Sequence, residues 1–410
     1  MMYIVLFGIL IVLANSIFYR QLSPSYMVTM FWSIQIIIAL VIINDSFYGL
    51  DEALIWFWFV LFLCLLSGII VKKNEKEAKT SFVLDIVKAK KGIAIQCLLA
   101  YACVVLNLNA HGFDFHSFFS LNSLAEANNE MAINRYSGAE EVSFLAQVLL
   151  MFVYSSCISA GYLMGFRSEK IIKLALIVML PPVLIVFSLN TKAVFIICLI
   201  FLLSGYLVGI KCSKRFLKIN VIQIVKLCVI SIISIGILIF SMMLRIGSVD
   251  IATLEIVIQK FASYSLAHIP AFCYWFQNNT TMDYSLGMQT FLGPFSFFGI
   301  AERIMGVYSD YWSSGYLMTN VYSYFRGLIE DFGSIGGAVA FILIIIIGNY
   351  ACNRCFMGNG NIIWIVILAF VYCFIFYWII SLCTYVSLMA SFFVFFVFLK
   401  TSMVFCNAKR

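Results

Sequence analysis

The residues best suited to chemistry lie between positions 320 and 337. Arg326 and Glu330 are one helical turn apart there, and a helix would place Tyr322 on the same face. A guanidinium binds phosphate through two parallel hydrogen bonds, and a neighbouring carboxylate can orient that contact or take a proton. The spacing therefore predicts an anion-binding site with a catalytic carboxylate. The plainer alternative is a structural Arg–Glu pair at the end of a helix.

Three residues are candidates for accepting a proton, namely Glu330, Asp331 and His268. Glu330 and Asp331 point about 100° apart on a helix, so only Glu330 shares the face of Arg326. Asp331 is expected to orient the turn at Gly333 or to cap a helix. Histidine titrates near neutral pH, which makes His268 a candidate base or phosphate ligand. A single histidine is, however, more often a satisfied polar residue.

Further cations are predicted to bind a lipid-borne pyrophosphate together with Arg326, and these are Arg245, Arg303 and Lys192. Arg245 directly follows an apolar run, and Lys192 lies in a turn between two such runs. The run before Lys192 contains Pro181 and Pro182, which are expected to kink or break its helix. An ionisable side chain at the edge of the hydrocarbon is a functional candidate. The alternative is that it snorkels to ordinary lipid headgroups.

Aromatic and amide side chains near the first motif are predicted to contact sugars, and these are Trp312, Asn320, Tyr322 and Tyr324. Sugar rings stack on aromatic rings, while amides and phenols hydrogen-bond to hydroxyl groups. Tyr and Trp also favour membrane interfaces, and such anchoring alone would explain most of these positions.

Some chemistry is excluded by missing motifs. The sequence contains no Walker A sequence, no G-x-G-x-x-G opening a helix and no H-E-x-x-H, and its one C-x-x-C, at Cys352 and Cys355, lacks a second ligand pair. We therefore predict neither a metal nor a cofactor, and expect a substrate that reaches the protein already activated and membrane-borne.

The composition predicts an all-α, polytopic integral membrane protein. Hydrophobic residues make up 63% of the chain and charged residues 11%, and the mean hydropathy is +1.03. Apolar runs long enough to cross a bilayer as helices recur along the chain. About eleven spans are predicted, near residues 2–19, 25–43, 53–71, 92–110, 142–164, 174–189, 193–210, 221–243, 334–350, 361–380 and 384–399. Residues 1–410 then form one polytopic domain.

The distribution of Lys and Arg predicts the orientation. Basic residues concentrate in the segments 72–91 and 211–226, which places both in the cytoplasm. Residues 111–141 and the large loop 244–333, between spans 8 and 9, then lie outside. Apolar residues at helical spacing over 251–276 predict a helix at the membrane interface. The net charge of +7 reflects this topology and does not indicate a nucleic-acid partner.

The chain resembles the Wzy-type O-antigen polymerases, which join oligosaccharide repeat units in bacterial envelopes. The span plan with one large outer loop is similar, and so is the segment 320–337, with its Asn, aromatic stretch, Arg and Asp-Phe-Gly. Arg326 and Gly337 fit an Arg-x10-Gly spacing of that family. Arg245-Ile246-Gly247 and Thr191-Lys192 look like further family positions.

The resemblance implies a GT-C-like glycosyltransferase of the bacterial inner membrane with a periplasmic active site. Its donor would be a glycan on undecaprenyl pyrophosphate, transferred onto a new lipid-linked repeat unit. The implied partners are that lipid-linked oligosaccharide, the bilayer and a membrane protein that regulates chain length. An O-antigen ligase would use the same donor, but the large loop and the Asp-Phe-Gly segment favour a polymerase. A lipid-linked oligosaccharide flippase would be built from two related halves with short outer loops, and neither feature is present.

Overall fold

The computed structural model describes residues 1–18, 21–71, 80–110, 119–137, 143–166, 172–189, 191–214, 221–279, 283–302, 308–357 and 361–407. Its α-helices are α1 Met2–Phe18, α2 Pro24–Ile42, α3 Asp51–Val71, α4 Ile86–Ala110, α5 Leu121–Ser137, α6 Phe144–Phe166, α7 Ile172–Leu189, α8 Lys192–Cys212, α9 Val221–Ile246, α10 Ile251–Leu266, α11 His268–Asn278, α12 Leu292–Phe297, α13 Tyr324–Met357, α14 Ile362–Phe376 and α15 Val386–Ser402. Four short strands are β1 Thr80–Leu84, β2 Trp312–Ser314, β3 Leu317–Thr319 and β4 Met403–Asn407.

The prediction of an all-helical membrane protein is confirmed. Seven helices in the described ranges are long and apolar enough to cross a membrane, and four further apolar helices, α1, α7, α14 and α15, are shorter. These helices satisfy their backbone hydrogen bonds internally, as a bilayer demands. Many of their large apolar side chains point outward, Ile232 and Ile233 of α9 among them, as expected for surfaces that face lipid. The number of spans and the GT-C-like arrangement stay predictions.

The chain divides into two compact units. One comprises residues 1–83, 262–389 and 405–410, and the other comprises residues 84–261 and 390–404. The second unit is organised around the helix pair α6 and α8, and the first around α2, α3 and α13.

Helices α6 and α8 pack with their backbones in direct contact. Gly161 and Gly165 of α6 face Gly205 and Gly209 of α8, so each helix carries two glycines four residues apart. A methyl group at Gly205 would run into the carbonyl oxygen of Ile158 across the interface. Such small-residue stripes let membrane helices approach closely and gain van der Waals contact. Four glycines therefore determine this packing.

Helix α13 is interrupted at Gly333, where φ is 74° and ψ is 171°. This backbone region is essentially restricted to glycine, and Tyr284 packs against the open side of the residue. The break separates a short first helix, residues 324–332, from the long apolar part. From their four-residue spacing, Gly333 and Gly337 are predicted to form one small-residue stripe on a helix, and the break at Gly333 shows that this prediction is wrong. A methyl group at Gly337 would lie 3.0 Å from the carbonyl oxygen of Leu328. The missing side chain of Gly337 therefore leaves room for the backbone of the short helix before the break.

Two other sequence expectations need adjustment. Pro181 and Pro182 lie inside α7, which runs unbroken from Ile172 to Leu189, so the predicted break is absent. The apolar pattern over 251–276 forms two helices, α10 and α11, rather than one.

Candidate active site

Arg326 lies in the first turn of α13 and holds two carboxylates. Its Nε donates to Oε1 of Glu330 at 2.8 Å, and its Nη1 donates to Oδ2 of Asp310 at 2.8 Å. The Arg326 side chain is 10% exposed, that of Glu330 22% and that of Asp310 48%. The predicted Arg326–Glu330 pair is thus present, and Asp310 is a second acidic partner that sequence reasoning missed.

Three aromatic rings surround the guanidinium of Arg326. Its central carbon lies 3.9 Å from the ring centroid of Tyr308, 4.4 Å from that of Tyr322 and 5.0 Å from that of Trp275. Cation–π contacts of this kind contribute about 0.5–2 kcal/mol each. Tyr322 precedes the helix rather than belonging to it, but it does contact Arg326 as predicted. We call Arg326, Asp310, Glu330 and the three rings the arginine cluster.

The charge balance of the arginine cluster changes the interpretation of Arg326. One cation faces two carboxylates, so the net charge of the cluster is negative. The Nε and Nη1 nitrogens of Arg326 each donate to one of these carboxylates. Two of the five N–H donors of Arg326 are used in these bonds, so a pyrophosphate would meet only the remaining donors unless it displaced Asp310 or Glu330. In this conformation Arg326 is paired with two carboxylates and fixes their orientation, an arrangement close to the structural Arg–Glu pair that was given as the alternative.

Ionisation in the cluster follows from burial and from the arginine. Partial burial raises the pKa of Asp310. The hydrogen bond from Arg326 and its positive charge lower this pKa by more, so the net pKa lies below the ordinary value. Burial and the nearby carboxylates raise the pKa of Tyr308 and Tyr322. Asp310 is therefore a carboxylate at neutral pH, whereas both tyrosines keep their phenolic protons.

A hairpin brings Asp310 to the arginine. Strands β2 and β3 are antiparallel with Trp312 opposite Thr319, and Gly315 has φ of 58° at the turn. If the same pairing is continued backwards from Trp312, Asp310 lies beside the residues that directly precede α13. A Ser-Gly turn between two short runs with β-forming residues is the sequence signal that could have suggested this hairpin.

Asp331 is a structural anchor in this arrangement. It is fully buried, and its carboxylate accepts hydrogen bonds from the Ser285 hydroxyl at 2.5 Å and from the backbone N–H groups of Gln289 and Thr290 at 2.9 and 2.7 Å. A carboxylate so enclosed has no path to a substrate hydroxyl. The prediction that Asp331 orients a turn agrees with these contacts, although the turn lies at 285–290 rather than at Gly333. Its alternative catalytic role has no geometric support.

His268 is also enclosed, at the start of α11. Its ring lies 6.2 Å from both Trp32 and Trp378, and neither ring nitrogen has a hydrogen-bond partner among the described residues. Burial lowers the pKa of His268 to about 3, so the ring is neutral. A neutral imidazole packed among indoles is not placed to take a proton from a substrate.

His268→Leu is accordingly expected to leave the activity of the protein within about twofold of the wild type, because the ring acts in packing. Removing an unpaired buried polar group is nearly neutral or stabilising. The activity and the thermal midpoint of the purified variant, each compared with the wild type, measure this. A His268→Leu protein that is folded but inactive would show that His268 does take part in the active site.

The residues predicted to contact sugars are mostly enclosed. Trp312, Tyr322 and Tyr324 are buried, and the Tyr324 hydroxyl accepts a hydrogen bond from Trp32 at 2.8 Å. Asn320 donates from Nδ2 to the carbonyl oxygen of Tyr308 at 3.3 Å. The three aromatic side chains shape the site rather than line its surface, because burial leaves their ring faces in contact with protein.

Two of the remaining predicted pyrophosphate ligands belong to elements other than those of the arginine cluster. Lys192 is the first residue of α8, and Arg245 lies in the last turn of α9, both in the other unit. Arg303 lies outside the described residues. At the end of α9, next to Arg245, the side chain of Asn129 of α5 donates to the carbonyl oxygen of Ile246 at 3.4 Å. This bond supplies a partner for one of the last carbonyl groups of the helix. Pyrophosphate binding by these cations stays a prediction.

The described residues contain no group of three His, Cys, Asp or Glu side chains able to hold a metal ion. No family model, no curated protein and no solved structure matches the chain. Function must therefore be argued from the geometry of the site.

Proposed function

We propose that this protein is a membrane glycosyltransferase that polymerises lipid-linked oligosaccharide repeat units, with undecaprenyl-pyrophosphate-linked glycan as donor, at the periplasmic face of the inner membrane. The observation that carries the proposal is the arginine cluster. It lies between the end of α9 and the break of α13 at Gly333, a segment that the positive-inside rule places outside. It also coincides with the residues that resemble the polymerase family.

The geometry supports glycosyl transfer because a pair of carboxylates is held in place by one arginine. Transfer from a lipid pyrophosphate requires a group that takes the proton of the acceptor hydroxyl, and a positioned carboxylate does this. Preorganised hydrogen bonds keep such a group in its working orientation before substrate binds. The aromatic walls around Arg326 exclude water from one side of the cluster.

The test is polymerisation by the purified protein in lipid nanodiscs, supplied only with lipid-pyrophosphate-linked repeat units. We expect a ladder of chain lengths and the release of one lipid pyrophosphate for each bond formed. Translocation of the substrate without chain growth would indicate a transporter. Transfer only to an added lipid A core would indicate a ligase, and either result would overturn the polymerase proposal.

The proposed orientation has its own test. A single cysteine at Asp283, in the segment before α13, is expected to react with a membrane-impermeant maleimide in cells with a permeabilised outer membrane. A cysteine at Lys90, in the first turns of α4, should react only after the inner membrane is opened. Both side chains are exposed in the structure, so accessibility reports the side of the membrane. The reverse pattern would place the arginine cluster in the cytoplasm and exclude a periplasmic reaction.

A further inference from the structure

The two carboxylates of the arginine cluster differ in what can reach them. Glu330 is 22% exposed and lies along the first turns of α13, whereas Asp310 is 48% exposed and comes from the neighbouring loop. Arg326 binds Oδ2 of Asp310 through Nη1, while about half of the Asp310 side chain stays exposed. A substrate hydroxyl would therefore meet Asp310 before Glu330.

The backbone around Asp310 is held on both sides. The Tyr322 hydroxyl donates to the carbonyl oxygen of Asp310 at 3.3 Å, and Asn320 holds the carbonyl oxygen of Tyr308. The Asp310 side chain is fixed in turn by Arg326. A catalytic group needs this support, since small displacements reduce its effect strongly.

Exposed aromatic rings stand on the same hairpin. Tyr311, directly after Asp310, is 62% exposed, and Tyr316 at the turn is 61% exposed. These rings are free of the enclosure that buries Trp312 and Tyr322. They offer the stacking surface for sugars that the sequence had assigned to their neighbours.

We propose that Asp310 is the catalytic base of the transfer, that Arg326 and Glu330 position it, and that the acceptor sugar stacks on Tyr311 and Tyr316. This inference rests on the proposed function. In the reaction the acceptor hydroxyl oxygen forms a bond to C1 of the donor glycan. The bond between C1 and the pyrophosphate oxygen breaks, and the lipid pyrophosphate leaves with the electron pair. The hydroxyl proton passes to the carboxylate of Asp310 and from there to solvent.

The experiment compares kcat and KM of purified Asp310→Asn with those of the wild type in the nanodisc assay. General bases contribute about 100-fold to 10,000-fold to the rate, so kcat is expected to fall at least about 100-fold. KM for the acceptor should change little, because the amide oxygen still accepts the hydrogen bond from Arg326 and the loop is preserved. The matched control is Asp283→Asn, an exposed acid of the same segment, which should keep the wild-type kcat.

A second variant guards against misfolding. Asp310→Glu retains the ion pair with Arg326 but moves the carboxylate by about 1 Å, a displacement that can cost about 100-fold in rate. We expect a folded protein whose kcat falls at least about tenfold. Wild-type kcat in either variant, beside an active wild type, would remove Asp310 as the base and leave the polymerase proposal intact. A wild type that forms no polymer would instead refute the proposed function itself.

Discussion

Replacing Arg326 by alanine is expected to abolish polymerisation and to leave lipopolysaccharide capped with no more than one repeat unit. The change removes the guanidinium that donates to Oε1 of Glu330 and to Oδ2 of Asp310. Breaking a largely buried ion pair from one side costs about 3–5 kcal/mol, because the remaining charge is left uncompensated. The partly exposed position of Asp310 reduces its share of that cost. The two carboxylates would then repel each other, and the base would lose its orientation.

Arg326→Lys is expected to restore polymerisation only in part. An ammonium group is a single point charge and cannot reproduce the fixed fork through which Nε and Nη1 bind two separate carboxylates. It also stacks less well on Tyr308 and Tyr322. The matched control is Arg354→Ala, which removes an arginine at the far end of α13 that contacts Tyr350 and should give full-length chains. Membrane levels of each variant have to be equal. Full-length chains from both Arg326 variants would exclude this residue from the site.

Gly205→Ala is expected to prevent α6 and α8 from packing, with loss of most of the folded protein. The added methyl group would meet the Ile158 carbonyl oxygen and come within 2.9 Å of the Tyr162 nitrogen. Both atoms belong to a helix backbone, which cannot move aside as a side chain can. Overpacking costs about 1–3 kcal/mol even where side chains can adjust, and the cost here should be at the upper end or beyond. Yield after detergent extraction and the thermal midpoint measure the effect.

Gly236→Ala in α9 serves as the matched control, because a methyl group there would meet nothing within 4 Å. Both substitutions increase helix propensity equally. A lower yield of Gly205→Ala alone therefore reports the interface. Equal yields would mean that the α6–α8 contact is looser than described and that its glycines are dispensable.

The helices were predictable because their signal is local. A run of apolar side chains and the demand for internal backbone hydrogen bonds lead to a helix wherever the run is long enough. The Arg326–Glu330 pair was predictable for the same reason, since both residues lie within one helical turn. The glycine spacing of α6 and α8 was equally visible in the sequence and was overlooked.

Features that depend on the path of the chain were not predictable in this way. Asp310 reaches Arg326 through a hairpin, and no spacing rule relates the two positions. A continuous helix would place Gly333 and Gly337 on one face. Gly333 instead adopts a backbone conformation that ends the helix, so the two glycines do not form one stripe. His268 had the right residue type for catalysis, but only its aromatic surroundings showed that it is enclosed. Type and spacing indicated candidates, and burial decided among them.

The contacts of Asp331 determine which substitutions the loop at residues 285–290 tolerates. Two of the three donors to this carboxylate are main-chain N–H groups, at positions 289 and 290, and every amino acid except proline supplies one. The hydrogen bonds that attach the loop to α13 are thus independent of the side chains at these positions, although Thr290 is buried and packing limits what can replace it. A substitution of Gln289 would therefore leave the attachment of the loop to Asp331 in place. Proline at 289 or 290, and any replacement of Asp331 itself, would be selected against.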